Sequence, residues 1–275
     1  VFAAIGTVVT ITGTGFSGAT AVSFGGVAAS SYTVVSATQI NAVVGAGASG
    51  SVSVTTPGGT GSLAGFSFIA LPAVLSFSPT SAGVGTTIVI TGSNFTTTAT
   101  VSFGGVPAAG VTIVSPTQIR AVVPVGTTGG TIAVVTQGGT ASLGGFSLIN
   151  APRVFSFAPV SASSGTMVVI TGANLTGVTT VRFGGVAALS VTPISATEVR
   201  AVVGTGASGS VSVTTPGGTG ALTGFTFIGP PTISGFTPTN AGSGKIVTIV
   251  GTNFTGVSSV RSEEHTSELQ SHHVI

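Results

Sequence analysis

The sequence repeats one pattern at steps of 79, 80 and 79 residues, and this periodicity limits the fold more than any single residue does. Each copy opens with a glycine before a β-branched run; these glycines are Gly6, Gly85, Gly165 and Gly244. Phe-Gly-Gly recurs in the same register, starting at residues 24, 103 and 183. Residues 47–69 and 206–228 are identical at 20 of 23 positions. Such a chain is a tandem array of one small module.

The register divides the chain into four modules and a tail. We expect modules at 1–70, 71–150, 151–229 and 230–260, the first lacking its opening strand and the fourth incomplete. One further period predicts Phe-Gly-Gly from position 262, but the chain reads Ser-Glu-Glu there. Residues 261–275 resemble the translation of a common short-read sequencing adapter. We therefore expect the tail to be non-native sequence and leave it out of the fold prediction.

Reactive side chains are scarce outside this tail, which holds all three histidines and three of the four carboxylates. Residues 1–260 keep one acid, Glu198, and five bases, for a formal charge of +4. The bases are Arg120, Arg153, Arg182, Arg200 and Lys245. Nucleic-acid binding needs Lys and Arg clustered in a stripe, whereas these are spread over the modules. We expect no nucleic-acid partner.

The composition indicates a folded, non-membrane chain without disulfides. Only 4% of residues are charged, yet Val, Ile and Phe are abundant, which argues against disorder. Gly, Ser and Thr interrupt every apolar run before the roughly 18 residues that a membrane span needs. The absence of cysteine excludes disulfides and thiolate metal sites. The chain begins at Val1 with no secretion signal, so we expect signal and anchor to lie outside it.

Apolar residues alternate along each module, as Val9 and Ile11 do, and no 3.6-residue period persists. The alternation predicts about seven short strands per module in an antiparallel β-sandwich. Thr-Pro-Gly-Gly at 56–59 predicts a type II turn with Pro57 at i+1 and a positive φ at Gly58. Short Pro-containing linkers join the modules, which predicts an extended, semi-rigid array.

These motifs together resemble the IPT/TIG domain, an immunoglobulin-like β-sandwich. The resemblance covers residues 1–260, although the first module has Gly15 where the others have Asn. In the second module it is carried by Phe77, Pro79, Gly85, Gly92, Asn94, Phe95, Phe103, Gly104 and Gly105. The resemblance implies an all-β fold of tandem sandwiches. The near-identical copies are similar to those of large bacterial surface or secreted proteins, which implies an extracellular or cell-surface location.

Two motifs mimic known sites. Residues 45–50 and 204–209 match G-x-G-x-x-G, but a strand pattern follows each, so we expect a hairpin loop and no cofactor. Asn94, Asn174 and Asn253 begin glycosylation sequons. The simpler interpretation is that each Asn adopts the left-handed region in a turn, while the next residue fills the core.

No catalytic or metal site is expected. Glu198 and Arg200 are two apart and share a strand face, and Arg120 is the positional twin of Arg200. The pair could bind a ligand; the interpretation we prefer is an exposed face that discourages edge pairing. Glycoside hydrolysis usually needs two carboxylates, and residues 1–260 have one. A Ser or Thr nucleophile would have only Lys245 or Glu198 as its base. A calcium site would lack charged oxygen ligands. We predict that the chain is not an enzyme.

Our leading hypothesis is a non-catalytic spacer or adhesive region of a larger bacterial cell-surface or secreted protein. The alternative is a glycan-binding accessory module of a polysaccharide-processing protein, whose catalytic domain would lie outside this sequence. Sugars commonly stack on exposed Trp or Tyr, and the chain has no Trp and one Tyr, so Tyr32 is the weak binding candidate. The sixteen Phe fall mainly at core positions. Expected partners are an extracellular polysaccharide or surface protein, and neighbouring domains.

Overall fold

The computed structural model describes residues 1–261, which form 28 β-strands and contain no helix. In that range there is accordingly no helix that is long and apolar enough to cross a membrane. The all-β class predicted from the alternating apolar residues is confirmed. Chain contacts divide the molecule into two compact units. The first comprises Val1–Arg153, Ala173–Thr179 and Val213–Gly220; the second comprises Val154–Gly172, Thr180–Ser212 and the described residues from Ala221 onward.

The first repeat folds into eight strands in two sheets. Their order is β1-β8-β7-β3-β4 in one sheet and β2-β6-β5 in the other. Phe24 and Phe66, both on the larger sheet, are buried side by side with ring centroids 4.9 Å apart. The strands are β1 (Phe2–Ala4), β2 (Val8–Thr12), β3 (Ala21–Phe24), β4 (Val27–Ala28), β5 (Ser31–Ser36), β6 (Gln39–Val43), β7 (Gly50–Thr56) and β8 (Gly59–Ile69).

The second repeat has nine strands, of which seven have four residues or more, as the alternation predicts. The sheets run β14-β15-β11-β9 and β10-β17-β16-β12-β13. The strands are β9 (Ala73–Ser78), β10 (Ser81–Ala82), β11 (Thr87–Ser93), β12 (Thr100–Phe103), β13 (Val106–Pro107), β14 (Gly110–Ser115), β15 (Gln118–Val122), β16 (Gly130–Thr136) and β17 (Gly139–Leu148).

The core of the second repeat lies between these sheets. Ile88 and Ile90 on β11, and Ile119 on β15, are fully buried because alternate residues of a strand share one face. Phe103 and Phe146 meet edge-on with ring centroids 5.2 Å apart. Burying one such side chain stabilises the fold by about 1.5–3 kcal/mol. Ten of the sixteen Phe in the chain are buried, which confirms their predicted packing role.

The sandwich is not purely antiparallel, so that part of the prediction is wrong. After pairing antiparallel with β11, the opening strand β9 continues as β10 into the opposite sheet. There β10 runs parallel to β17, with Ser81 opposite Ser147. The pair β1 and β8 in the first repeat is parallel as well. A strand that changes sheets without reversing its direction must meet the closing strand in parallel.

The third repeat follows the same plan, and the fourth shows only one pair of strands in the described residues. In the third, β24 lies between β20 and β23, and β19 runs parallel to β26. The fourth repeat forms one antiparallel pair, β27 with β28. The strands are β18 (Arg153–Ala158), β19 (Ser161–Ala162), β20 (Met167–Ala173), β21 (Thr180–Phe183), β22 (Val186–Ala187), β23 (Ser190–Pro193), β24 (Glu198–Val202), β25 (Gly209–Thr215), β26 (Gly218–Phe227), β27 (Thr232–Thr237) and β28 (Thr248–Thr252).

Candidate functional site

The asparagine of each sequon holds the linker that precedes its own repeat. Asn94, just after β11, has φ 58°, in the left-handed region that Asn tolerates better than most residues. Its Nδ2 donates a hydrogen bond of 2.7 Å to the carbonyl oxygen of Leu71. The next residue, Phe95, is buried in the core. The predicted turn-and-plug role is therefore confirmed here and for Leu175 after Asn174, whereas Phe254 after Asn253 is 36% exposed. The nitrogen that a glycan would modify is already engaged.

The β16–β17 turn packs closely against the same linker. A Cβ added at Gly138 would overlap the backbone carbonyl oxygen of Ala70, and one added at Gly139 would lie 2.6 Å from a Leu71 methyl carbon. Only glycine fits there without displacing the linker. We call the set formed by Asn94, Gly138, Gly139 and linker residues 70–72 the junction clamp.

The entry to the third repeat carries a clamp of the same composition, which lies within the first compact unit. Asn174 has φ 58° and donates from Nδ2 to the Ala151 carbonyl oxygen at 3.0 Å. A Cβ at Gly217 would overlap the Asn150 carbonyl oxygen. In the fourth repeat Asn253 again donates to a linker carbonyl, that of Pro230, at 3.1 Å. The linker contact therefore recurs at each junction described.

The Thr-Pro-Gly-Gly turn differs from its prediction. Thr56 lies opposite Gly59, so Pro57 and Gly58 form a two-residue loop. Gly58 is not in the positive-φ region; the positive φ, 125°, falls on Gly59. The type II prediction is therefore wrong. The Thr56 hydroxyl accepts a hydrogen bond from the Gly58 amide at 3.3 Å, a side-chain contact that the turn rules for Pro and Gly do not include.

The G-x-G-x-x-G segments are packing loops. The segment at 45–50 is followed by strand β7, as predicted, but it connects the two sheets and is not a hairpin. Gly25 and Gly26 of the Phe-Gly-Gly motif both have positive φ, 59° and 83°, the requirement of a type I′ hairpin turn. A Cβ at Gly25 would overlap the Ala48 carbonyl oxygen. The two glycine motifs therefore pack against each other.

Glu198 and Arg200 form an exposed ion pair on the solvent face of β24. Arg200 Nε donates to Glu198 Oε1 at 2.9 Å, with 45% and 30% of the two side chains exposed. The shared strand face is confirmed. The edge-protection role is wrong, because β24 lies between two other strands. An exposed pair of this kind contributes roughly 0–1 kcal/mol. Arg120 occupies the matching exposed position on β15.

Tyr32 lies on β5, at the edge of the first repeat's smaller sheet, and is half-buried. Its ring packs against the core cluster of that repeat. Its hydroxyl donates a hydrogen bond of 3.1 Å to the Ala19 carbonyl oxygen. These contacts give Tyr32 a packing role, and its role in binding stays a prediction.

Open cavities occur in both compact units. One, of about 490 Å³, runs between the sheets of the first repeat beside β2 and is lined by Val9, Ile11, Gly13, Val54 and Leu63 among others. A second, of about 760 Å³, lies in the second compact unit around Ser163, Phe227 and Asn253. A third, of about 370 Å³, lies beside β27 and β28 around Ile233, Ile249 and Phe254. No group of three or more His, Cys, Asp or Glu side chains that could hold a metal ion is found in residues 1–261.

The sequence of the IPT/TIG domain matches residues 1–68, 72–148 and 152–227. This chain belongs to the IPT/TIG family. IPT/TIG repeats are immunoglobulin-like and typically non-catalytic. A comparison with the curated proteins finds no significant match.

Three solved structures are remotely similar to this chain. A crystal structure with a xylogluco-oligosaccharide is 19% identical over 80% of this chain, with a TM-score of 0.39. SGBP-B from a xyloglucan utilization locus of Bacteroides uniformis is 18% identical over 60%, with a TM-score of 0.29. The plexin A4 extracellular region is 17% identical over 92%, with a TM-score of 0.40. This chain spans 57%, 54% and 25% of those chains, and such remote likeness assigns it no ligand.

The clamp residues of these IPT/TIG repeats were not identified as a group from the sequence. The signal that could have found them is the joint recurrence of Asn and the turn Gly-Gly in the second and third repeats, each of which follows a linker. Gly15 replaces the Asn in the first repeat, for which no preceding linker is described. The clamp holds the linker backbone by an Asn side chain and a closely packed glycine turn, so it fixes geometry.

Proposed function

We propose that this chain is a non-catalytic spacer or adhesive region of a larger bacterial cell-surface or secreted protein. Its modules are residues 1–70, 71–150, 151–229 and 230–260, and residues 261–275 are a non-native tail. The extracellular location is part of this proposal, as are partners of the polysaccharide or surface-protein class. In an adhesive role, repeated weak sites would gain avidity from their number.

The observation that carries the proposal is the recurrence of the junction clamp. At two successive junctions an Asn side chain holds a linker carbonyl and a glycine turn fills the space beside it. A free linker of three residues needs no such contacts to connect two folded domains. Contacts that restrict a linker serve a chain whose repeats must keep a defined spacing.

Scattering and distance measurements test the spacer role. We expect small-angle scattering to give an elongated particle; a compact globule would refute the spacer version. The chain has no cysteine, so exposed Thr33 and Thr112 can be changed to Cys and spin-labelled without competing thiols. We expect a narrow inter-repeat distance distribution. A distribution as broad as that of a flexible linker would contradict the proposal.

Asn94→Asp isolates the clamp in the same labelled chain. The carboxylate cannot donate, so two oxygens would face each other at the position of the 2.7 Å contact with Leu71. We expect the distance distribution to broaden. Gln137→Glu is the matched control, because it adds the same charge at an exposed position of the clamp turn. Equal broadening in both variants would show that charge, and not the lost donor, is responsible.

The glycan-binding alternative remains open to a direct test. Pull-down with insoluble polysaccharides and a glycan array would detect such binding in the whole chain. Tyr32→Ala removes the ring, whereas Tyr32→Phe keeps the ring and loses only the hydrogen bond to Ala19. Binding that Tyr32→Ala abolishes and Tyr32→Phe retains would support the alternative. No binding to any polysaccharide would count against it.

A further inference from the structure

Arg120 is the only charged side chain in residues 71–150, and it lies on the outer face of a sheet. The smaller sheet of the second repeat runs β14-β15-β11-β9, so β15 has a strand on each side. The residues before and after Arg120 on β15 are fully buried, and Arg120 itself is exposed. It lies opposite Val89 on β11 and Thr112 on β14. The guanidinium therefore occupies an inner strand of an open sheet face.

The rest of this face carries hydroxyl groups and no charge. Cross-strand partners and alternate residues of a strand share one face, so the register identifies the surface around Arg120. We call this surface the Arg120 face; its exposed hydroxyl residues are Ser76, Ser78, Thr87, Thr91 and Thr112. Among the described residues of these four strands, no aromatic side chain lies on this face. A ligand here would be held by charge and hydrogen bonds, without ring stacking.

The first and third repeats engage the matching position within the chain. In the first repeat this position is Asn41, whose Oδ1 accepts a hydrogen bond of 3.1 Å from the Thr10 hydroxyl. In the third repeat it is Arg200, whose Nε donates to Glu198 Oε1 at 2.9 Å. The same sheet position thus carries a neutral side chain in one repeat and a neutralised arginine in another.

The second repeat has the arginine without the carboxylate. Gln118 takes the place of Glu198, two residues before the arginine and on the same face. The side-chain amide of glutamine carries no charge and cannot neutralise a guanidinium. Glu198, the one acid in residues 1–260, is already paired with Arg200. The positive charge of Arg120 is therefore not offset by a carboxylate in this part of the chain.

A sugar carboxylate matches the chemistry of this face. The planar guanidinium of arginine donates two parallel hydrogen bonds to the two oxygens of a carboxylate. Threonine and serine hydroxyls both donate and accept hydrogen bonds, so they can pair with sugar hydroxyls. Nucleic acid would need several basic residues in a stripe, and this face has one. A uronic acid presents both a carboxylate and hydroxyl groups.

We propose that the Arg120 face binds a uronic acid of an acidic polysaccharide. The guanidinium binds the carboxylate, and the hydroxyls of Thr91 and Thr112 bind the sugar hydroxyls beside it. This site lies in the second repeat, whereas Tyr32 lies in the first. The proposal rests on the adhesive form of the proposed function, for which it names the class of polysaccharide. The spacer form does not depend on it.

Fluorescence anisotropy of a labelled oligogalacturonide tests the site in the whole chain. We expect binding that weakens as salt is added. The same oligosaccharide with methyl-esterified carboxyl groups should bind at least about fivefold more weakly, because it cannot form the charged pair. Arg120→Gln should weaken binding of the charged oligosaccharide by at least the same factor.

Arg182→Gln is the matched control for the loss of charge. Arg182 is exposed on β21, a strand of the larger sheet of the third repeat. Its replacement lowers the net charge by the same amount as Arg120→Gln and should leave binding unchanged. Equal losses in the two variants would show that overall charge, and not the Arg120 face, attracts the oligosaccharide. That result would overturn the proposal.

Exchanging Gln and Glu between the repeats tests the site without removing an arginine. Gln118→Glu gives the second repeat the ion pair of the third, so it should weaken binding as Arg120→Gln does. Glu198→Gln releases Arg200 and should raise the number of bound oligosaccharides per chain from about one to about two, as titration calorimetry measures. No gain in Glu198→Gln, or no loss in Gln118→Glu, would contradict the proposal.

The outcomes separate this site from the proposed function. A chain that binds no oligogalacturonide refutes the site, while the inter-repeat distances still test the spacer role by themselves. Binding that persists in both Arg120→Gln and Gln118→Glu would support an adhesive role through another surface and would overturn this site. Loss in both variants, with normal binding in Arg182→Gln, is the result that supports it.

Discussion

Gly138→Ala should open the junction between the first two repeats, and Gly58→Ala should not. Both glycines occupy the same turn position, both lie outside the positive-φ region, and both amides hydrogen-bond to a Thr hydroxyl. Backbone strain from alanine is therefore the same at the two sites. The difference lies in what the new Cβ meets: the Ala70 carbonyl oxygen at Gly138, and only the Thr56 hydroxyl, at 3.6 Å, at Gly58.

The magnitude follows from that difference. Forcing a methyl group into an occupied site costs about 1–3 kcal/mol. Gly58→Ala instead restricts the unfolded chain without a clash, which stabilises by about 0.4–1 kcal/mol. Hydrogen exchange read by mass spectrometry measures local opening in each repeat separately. Amides of β9 and of the β16–β17 hairpin should exchange roughly 5- to 150-fold faster in Gly138→Ala.

The exchange rates of Gly138→Ala and Gly58→Ala together test whether the linker contact matters. Exchange in the β7–β8 hairpin of Gly58→Ala should stay unchanged or slow down. If both variants accelerate exchange to the same extent, the turn itself requires glycine and its contact with the linker is irrelevant. If neither does, the linker moves away freely and the junction is not clamped.

Three further outcomes are expected. Gly104→Ala should destabilise the second repeat by at least about 2 kcal/mol in denaturant unfolding, because the residue has a positive φ and its new Cβ would overlap a backbone carbonyl oxygen. Gly105→Asn should cost under about 1 kcal/mol, because nothing obstructs a side chain at this type I′ turn position. Ile90→Ala should lower the free energy of unfolding by about 2–5 kcal/mol. Ile11→Ala should lower it clearly less, because Ile11 borders the open groove. Glu198→Gln should change the unfolding midpoint by an amount equivalent to less than about 1 kcal/mol, and this effect should shrink as salt is added, because the pair is exposed. A larger effect of Gly105→Asn than of Gly104→Ala, or of Ile11→Ala than of Ile90→Ala, would contradict the packing described above. So would a loss of more than about 1 kcal/mol in Glu198→Gln.

Local sequence patterns predicted what depends on local geometry. The two-residue alternation of Ile88 and Ile90 identified a strand with one buried face, and the Asn-Phe pair at 94–95 indicated a turn followed by a core residue. The parallel pairing of β10 with β17 could not be found this way, because alternation describes a strand and not its partner.

The site depends on distant contacts, which explains what the sequence did not reveal. Gly138 contacts Ala70, far earlier in the chain, and nothing in a Gly-Gly turn specifies that neighbour. The turn at Gly58 was mispredicted for a different reason, since the Thr56 hydroxyl satisfies the turn amide and the positive φ shifts to Gly59. The groove beside β2 depends on the arrangement of both sheets, which a strand pattern does not specify.

The nearly identical hairpins β7–β8 and β25–β26 have a consequence for folding during synthesis. Domains of matching sequence can exchange strands while they are still unfolded, and such misassembly is a known hazard of repeat proteins. Here residues 127–149 of the intervening repeat match residues 47–69 at only 12 of 23 positions. Sequentially adjacent repeats thus share less of this hairpin than the non-adjacent first and third repeats do. Because domains fold from the N-terminus during synthesis, the first repeat can close before its near-identical hairpin in the third repeat is made.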